Sequence, residues 1–157
     1  MRDQLLASTK DAMKSGDKAR LGTLRLINAA IKDRDIAARV DGKGKATGVE
    51  KVDDQEVLAL LQKMVKQRRE SIATYKDASR TDLVEKEEAE IAIIEEFLPK
   101  QMSPEDSEAA VKQVIAEIDA SGLKDMGRVM AALKERYVGQ MDFGRASGTV
   151  KAELSEG

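Results

Sequence analysis

The chain contains no cysteine and no histidine. The first absence removes disulfides and thiol chemistry. The second removes the commonest general base and the commonest metal ligand, and with them any Ser-His-Asp triad. Tryptophan is also missing and aromatics make up only 3%, so the core has to be aliphatic, with seven Met as gap fillers. Proline occurs twice, which leaves long stretches free to be helical. No apolar run approaches transmembrane length, and the N-terminus lacks a continuous apolar targeting segment. The expectation from these absences is a soluble, cytoplasmic protein with no membrane partner, no metal and no cofactor.

What is present favours helix. Leu, Ala, Glu and Lys dominate a chain of 157 residues that is 41% hydrophobic and 36% charged. That balance fits a folded, very soluble protein. The formal net charge is −2, from 27 basic and 29 acidic residues. Up to Pro99 there are 19 of each sign, and beyond it 8 basic and 10 acidic. Neither half is a basic nucleic-acid module by composition, so any RNA contact has to come from a local patch.

Apolar residues recur at helical spacing along nearly the whole chain. Residues 2 to 15 place Leu5, Leu6, Thr9, Ala12 and Met13 on one side, and Gly16 ends that helix. Asp17 then caps a helix over 18 to 38 with Leu21, Leu24, Ile27 and Ile31 inward. Val40 to Lys51, with Gly42, Gly44 and Gly48, reads as a flexible loop. Asp53 and Asp54 open a helix marked by Val57, Leu61, Met64, Val65, Ile72 and Tyr75. A break at 78 to 80 is followed by Thr81 or Asp82 as a cap, then by Leu83, Val84, Ile91, Ile94, Phe97 and Leu98. Pro99 stops that helix. Ser103-Pro104 starts the next one, which carries Val111, Val114, Ile115 and Ile118 as far as Gly122. Met126, Val129, Met130, Leu133 and Tyr137 form a further apolar stripe closed by Gly139. Asp142 caps a last helix buried through Val150 and Leu154. No strand pattern is present. The reading is an all-α protein, with an N-terminal helical bundle over 1–99 and a smaller C-terminal helical domain over 100–157.

Catalytic motifs are scarce. Gly42 to Gly48 with Lys43 and Lys45 lacks the ending of a P-loop and has no strand before it, so it reads as a mobile cationic loop. The carboxylates Asp53, Asp54, Glu85, Glu87, Glu88, Glu90, Glu95 and Glu96 read as solvated helix faces rather than as a metal or acid/base site. Lys63, Lys66, Arg68, Arg69 and Lys76 form either a phosphate-contacting ridge or a solvated face with Arg68 paired to the Glu85–Glu90 helix. In the C-terminal part, Lys124 and Arg128 lie one turn apart, opposite the Met126–Tyr137 stripe, with Lys134 and Arg136 flanking and Arg145 and Lys151 on the last helix. Gly127 sits inside a helical pattern at a cost of roughly 1 kcal/mol against alanine. It serves either tight helix packing or the close approach of a sugar-phosphate chain.

The block Lys124-Asp125-Met126-Gly127-Arg128-Val129-Met130, with Gly139, Asp142, Gly144 and Leu154, closely resembles the YqeY-like family. Leu24-Arg25-Leu26-Ile27, the Lys66–Asp82 segment and Phe97-Leu98-Pro99-Lys100-Gln101 extend the resemblance over essentially the whole chain. It implies an all-helical protein of the GatB/YqeY type, sharing a module with the C-terminal region of the tRNA-dependent amidotransferase B subunit. It further implies a stand-alone module that binds tRNA or charged tRNA without catalysis of its own. The nucleic-acid-binding candidates are Lys124, Gly127, Arg128, Lys134, Arg136 and Arg145. Two other expectations stay open. One is a protein adaptor docking on an amidotransferase or aminoacyl-tRNA synthetase. The other is glutamine-dependent carbon–nitrogen ligase activity, although the chain is too short for that subunit's catalytic cradle and shows no glutaminase motif. The family commonly has a bare Asp-Gly where this chain inserts Phe143 between Asp142 and Gly144.

Overall fold

The computed structural model describes residues 1–156 and is all-α, with seven α-helices and no strand among those residues. It divides into two compact units, Met1–Leu98 and a second beginning at Pro99.

The first unit holds α1 (Arg2–Ser15), α2 (Lys18–Ala38), α3 (Asp54–Asp77) and α4 (Thr81–Glu95). Helix α1 ends because Gly16 takes the left-handed conformation, φ 72°, which a side chain disfavours. The Asp17 carboxylate then accepts from the Arg20 N–H and starts α2 one residue later. The pair runs antiparallel, with bonds from Arg2 to Asp35 and from Asn28 to Thr9. Asp53 caps α3 by accepting from the Glu56 N–H. Helices α3 and α4 form a second antiparallel hairpin whose buried Leu61, Met64, Ile91 and Ile94 join Leu24, Ile27 and Ile31 of α2 in one core.

The second unit holds α5 (Pro104–Glu117), a 3-10 turn (Leu123–Asp125), α6 (Met126–Tyr137) and α7 (Phe143–Glu156). Ser103 caps α5 through the Asp106 N–H, with Pro104 at the first helical position. Its own core is built on Val111, Val114, Val129, Leu133, Met141 and Val150. Asp142 Oδ1 accepts from the N–H groups of Gly144 and Arg145 at 3.0 and 3.3 Å. Phe143 is therefore accommodated as the first residue of α7, half-buried against that core.

Four local expectations are corrected. Leu6 and Met13 do not join the buried face of α1; they are 53% and 57% exposed, on the shoulder beside Leu5 and Ala12. Neither Thr81 nor Asp82 caps α4: Arg80 holds the cap position without a side-chain bond, and the Asp82 carboxylate turns back to the Arg80 guanidinium at 3.0 Å. Helix α5 stops at Glu117, well before Gly122, with Asp119 left-handed at φ 53° so that Ile118 and Ala120 pack onto the core. The loop after α2 is a bonded turn. Asp41 Oδ1 accepts from the N–H groups of Lys43 and Lys45 at 2.8 and 2.9 Å, and Val40 faces Ala46 across an isolated antiparallel bridge.

Candidate nucleic-acid interface

The candidate residues of the second unit fall on α6, the turn before it and the start of α7. Val129 and Leu133 are buried and Met126, Met130 and Tyr137 half-buried, which turns the opposite side of α6 outward. That outward side carries Gly127, Arg128, Ala131, Lys134 and Glu135, all exposed. Gly127 and Lys134 are seven residues apart and so lie in one row. A Cβ added at Gly127 meets no atom within 4 Å. The tight helix packing offered as one reason for this glycine is therefore absent.

The cations differ in what holds them. Arg128 donates to the Ile118 carbonyl at 3.2 Å and stands 3.4 Å from the Asp125 carboxylate, so it braces the end of α5. Arg136 pairs with Glu117 at 2.5 Å and joins α6 to α5. The Arg136 guanidinium, followed by the Gln113 amide, holds the Glu117 carboxyl below its ordinary range. Lys124, Lys134 and Arg145 are exposed and, among the described residues, engage no carboxylate in an ion pair. Asp125 does not cap α6. Its carboxylate accepts from the Ser121 N–H at 2.9 Å, and this bond, ahead of the Arg128 and Lys124 charges, keeps its pKa low. A phosphate approaching the α6 N-terminus thus meets a fixed negative charge as well as free cations.

In the first unit, the basic segment of α3 is partly consumed. Arg68 Nε lies 2.9 Å from Glu90 and 4.0 Å from Glu87, and Arg69 pairs with Glu95 at 3.0 Å. The expected pairing of Arg68 with the Glu85–Glu90 helix is therefore present, but the pair is mostly out of water rather than part of a solvated face. Sequence reading missed two features. One is the cluster of Arg2, Asp35 and Val52, whose parts lie 33 and 50 residues apart. The other is the outer side of α2, where the available signal was a basic residue every seven positions. Among the described residues no three Asp or Glu side chains gather as a metal site, and no helix is long and apolar enough to cross a membrane.

Fold and surface together define a small all-α protein of two helical units, the second exposing Lys124, Lys134 and Arg145. The chain belongs to the YqeY-like family, whose sequence profile matches residues 2–154. Among curated relatives it is 33% identical over 140 residues to the "Altered inheritance of mitochondria protein 41, mitochondrial" of Pyrenophora tritici-repentis, covering 86% of this chain and 72% of that one. The protein of the same name from Kluyveromyces lactis is 32% identical over 146 residues, covering 91% and 70%. The Saccharomyces cerevisiae (strain YJM789) counterpart is 27% identical over 139 residues, covering 88% and 69%. These names overturn the expectation of a cytoplasmic protein. That expectation rested on a missing targeting segment and a missing membrane span, neither of which assigns a compartment.

Proposed function

We propose that the chain is a stand-alone RNA-binding module that holds tRNA through its second unit, without catalysis of its own. The observation that carries this reading is Gly127. It sits in α6 at a cost to the helix, has open space where a Cβ would be, and is bordered by Lys124 and Lys134, neither of them ion-paired. Gly22 and Gly148 are equally open helical glycines, so what favours Gly127 is the exposed lysines beside it together with room for the close approach of a partner's backbone. Lys124, Lys134 and Arg145 then contact phosphates, while Arg128 and Arg136 hold α6 in place.

The test is binding of the full chain to unfractionated tRNA across a salt series, beside a Lys124→Glu/Lys134→Glu variant. Affinity should fall with salt, and the slope should shrink by about one unit for each phosphate contact removed. A flat salt response, or no binding at low salt, sinks the RNA reading. It would turn attention to a protein partner.

A further inference from the structure

Charge is strongly divided inside the first unit. Lys18 to Lys45 holds eight basic and three acidic residues, whereas Ala46 to Leu98 holds eight basic and thirteen acidic. Within the basic stretch, Lys18, Arg25, Lys32 and Arg39 recur every seven residues and so lie in one row along α2 and its end. All four are exposed, and among the described residues none stands within ion-pair distance of a carboxylate. Two other charges of this stretch, Arg20 and Asp35, point elsewhere and are bound to Glu96 and Arg2. Lys43 and Lys45 extend the cations beyond the helix on the turn fixed by Asp41.

The same outer face is apolar between and beside its cations. Leu26 and Ile36 are 50% and 49% exposed and fall with Gly22 and Ala29 on one side of the helix, and Val40, 50% exposed, follows just beyond its end. Asp33 is the acid on that face. The helix is 21 residues, about 32 Å long, so cations and aliphatics form one extended, low-relief surface.

We propose that this face of α2 is a docking surface for an anionic lipid bilayer. The partner has to be negative, which the unpaired row of Lys and Arg requires. It also has to give aliphatic side chains a place to leave water. A bilayer surface offers both at once, with headgroup charge directly above hydrocarbon. RNA offers only the first: phosphates leave Leu26, Ile36 and Val40 uncovered, and α2 carries no aromatic to stack a base. An acidic amphipathic peptide pairing helix to helix needs a continuous apolar seam, and here Leu26 and Ile36 are separated by Ala29 and Asp33. This departs from the sequence-based expectation of no membrane partner, which rested on the lack of a spanning run, whereas surface association needs no span. The inference is independent of the RNA reading, which uses the second unit.

The test is co-sedimentation of the full chain with vesicles of phosphatidylglycerol mixed with phosphatidylcholine, and with vesicles of phosphatidylcholine alone. Two variants are compared, Arg25→Gln/Lys32→Gln and Leu26→Ser/Ile36→Ser; all four positions are exposed, and thermal melts followed by circular dichroism verify the fold. Binding is expected only to the anionic vesicles, weakened by salt, and about fivefold weaker for each cation removed. The Leu26→Ser/Ile36→Ser variant should also bind more weakly at unchanged charge, and Lys124→Glu/Lys134→Glu should bind normally. Absence of binding to anionic vesicles, or equal binding to neutral ones, overturns the proposal. So does binding that the apolar variant leaves unchanged. If Arg25→Gln/Lys32→Gln instead loses tRNA while vesicles are never bound, the face belongs to RNA.

Discussion

Asp35 is 7% exposed and is the one buried charged residue among those described. Its two oxygens take the Arg2 guanidinium at 2.7 and 3.0 Å, and Oδ1 also accepts from the Val52 N–H at 2.8 Å. Arg2 completes the ring by donating to the Val52 carbonyl at 2.9 Å. The start of α1, the end of α2 and the approach to α3 are thereby tied at one point. Replacing Asp35 by Ala strands a guanidinium and an amide, and chemical denaturation should register a loss of about 3 kcal/mol. The Arg2 bond, reinforced by Val52, holds the Asp35 pKa below its ordinary value against the opposing effect of burial. Its contribution is therefore complete above about pH 4, the unfolded value, and is lost as pH falls through the lower folded value. Unfolding followed between neutral pH and about pH 3 should show a shallower acid decline for Asp35→Asn than for the parent chain. Gly127 makes the opposite kind of residue. With helical backbone and no atom within 4 Å of an added Cβ, Gly127→Ala should stabilise the second unit by up to about 1 kcal/mol. If the proposed interface is right, the same change weakens tRNA binding. A variant that melts higher and binds RNA equally well would remove Gly127 from the site.

Elements were legible where the code is local. Asp17, Asp53, Ser103 and Asp142 all cap the helices expected of them, because a capping side chain reaches a backbone N–H two or three residues away. The apolar stripes of α3 and α6 likewise name their own buried faces. Reading failed where a tertiary demand outweighed a local one. Gly122 looked like the end of α5, but burying Ile118 and Ala120 breaks the helix earlier, at a non-glycine residue. The partners of Arg68 are a similar case. Glu87 and Glu90 are about five and six helical turns away in sequence and meet it only once α3 and α4 fold together. Arg68, Glu87 and Glu90 side chains are 14%, 18% and 16% exposed, so the cation screens two carboxylates already taken partly out of water. Arg68→Ala should cost about 2 to 3 kcal/mol, more than exposed Arg69→Ala, which should stay under about 1 kcal/mol. Equal losses from the two, measured by urea unfolding, would mean that the α3–α4 hairpin does not depend on that inner pair.

At the scale of the whole molecule, two cores and an uneven charge distribution matter more than any motif. The family resemblance pointed to the second unit because its glycines and cations form a recognisable string. The outer face of α2 has no such string: its information lies in a period of seven and in which charges remain unpaired, and pairing is a property of the folded chain. The cores were easier to read, since the apolar stripes name most of their residues, although Val52 and Met141 lie outside any stripe and Leu6 and Met13 stay exposed. That of the second unit is built from nine buried residues, none larger than Leu133, Met141 and Leu154. A core of that size in a unit of about 60 residues leaves little margin. Leu133 is fully buried there, and truncation to Ala should cost about 3 kcal/mol through lost burial and the cavity left behind. For so small a unit that corresponds to a fall in melting temperature of more than about 10 °C. Because Leu133 touches one core and Ile27 the other, hydrogen exchange can separate the two effects. Leu133→Ala should speed exchange of the α5–α7 amides and leave α1–α4 protected, while Ile27→Ala should do the reverse. If either change speeds exchange evenly along the whole chain, the two cores unfold as one, and the second unit draws its stability from more than its own nine buried residues.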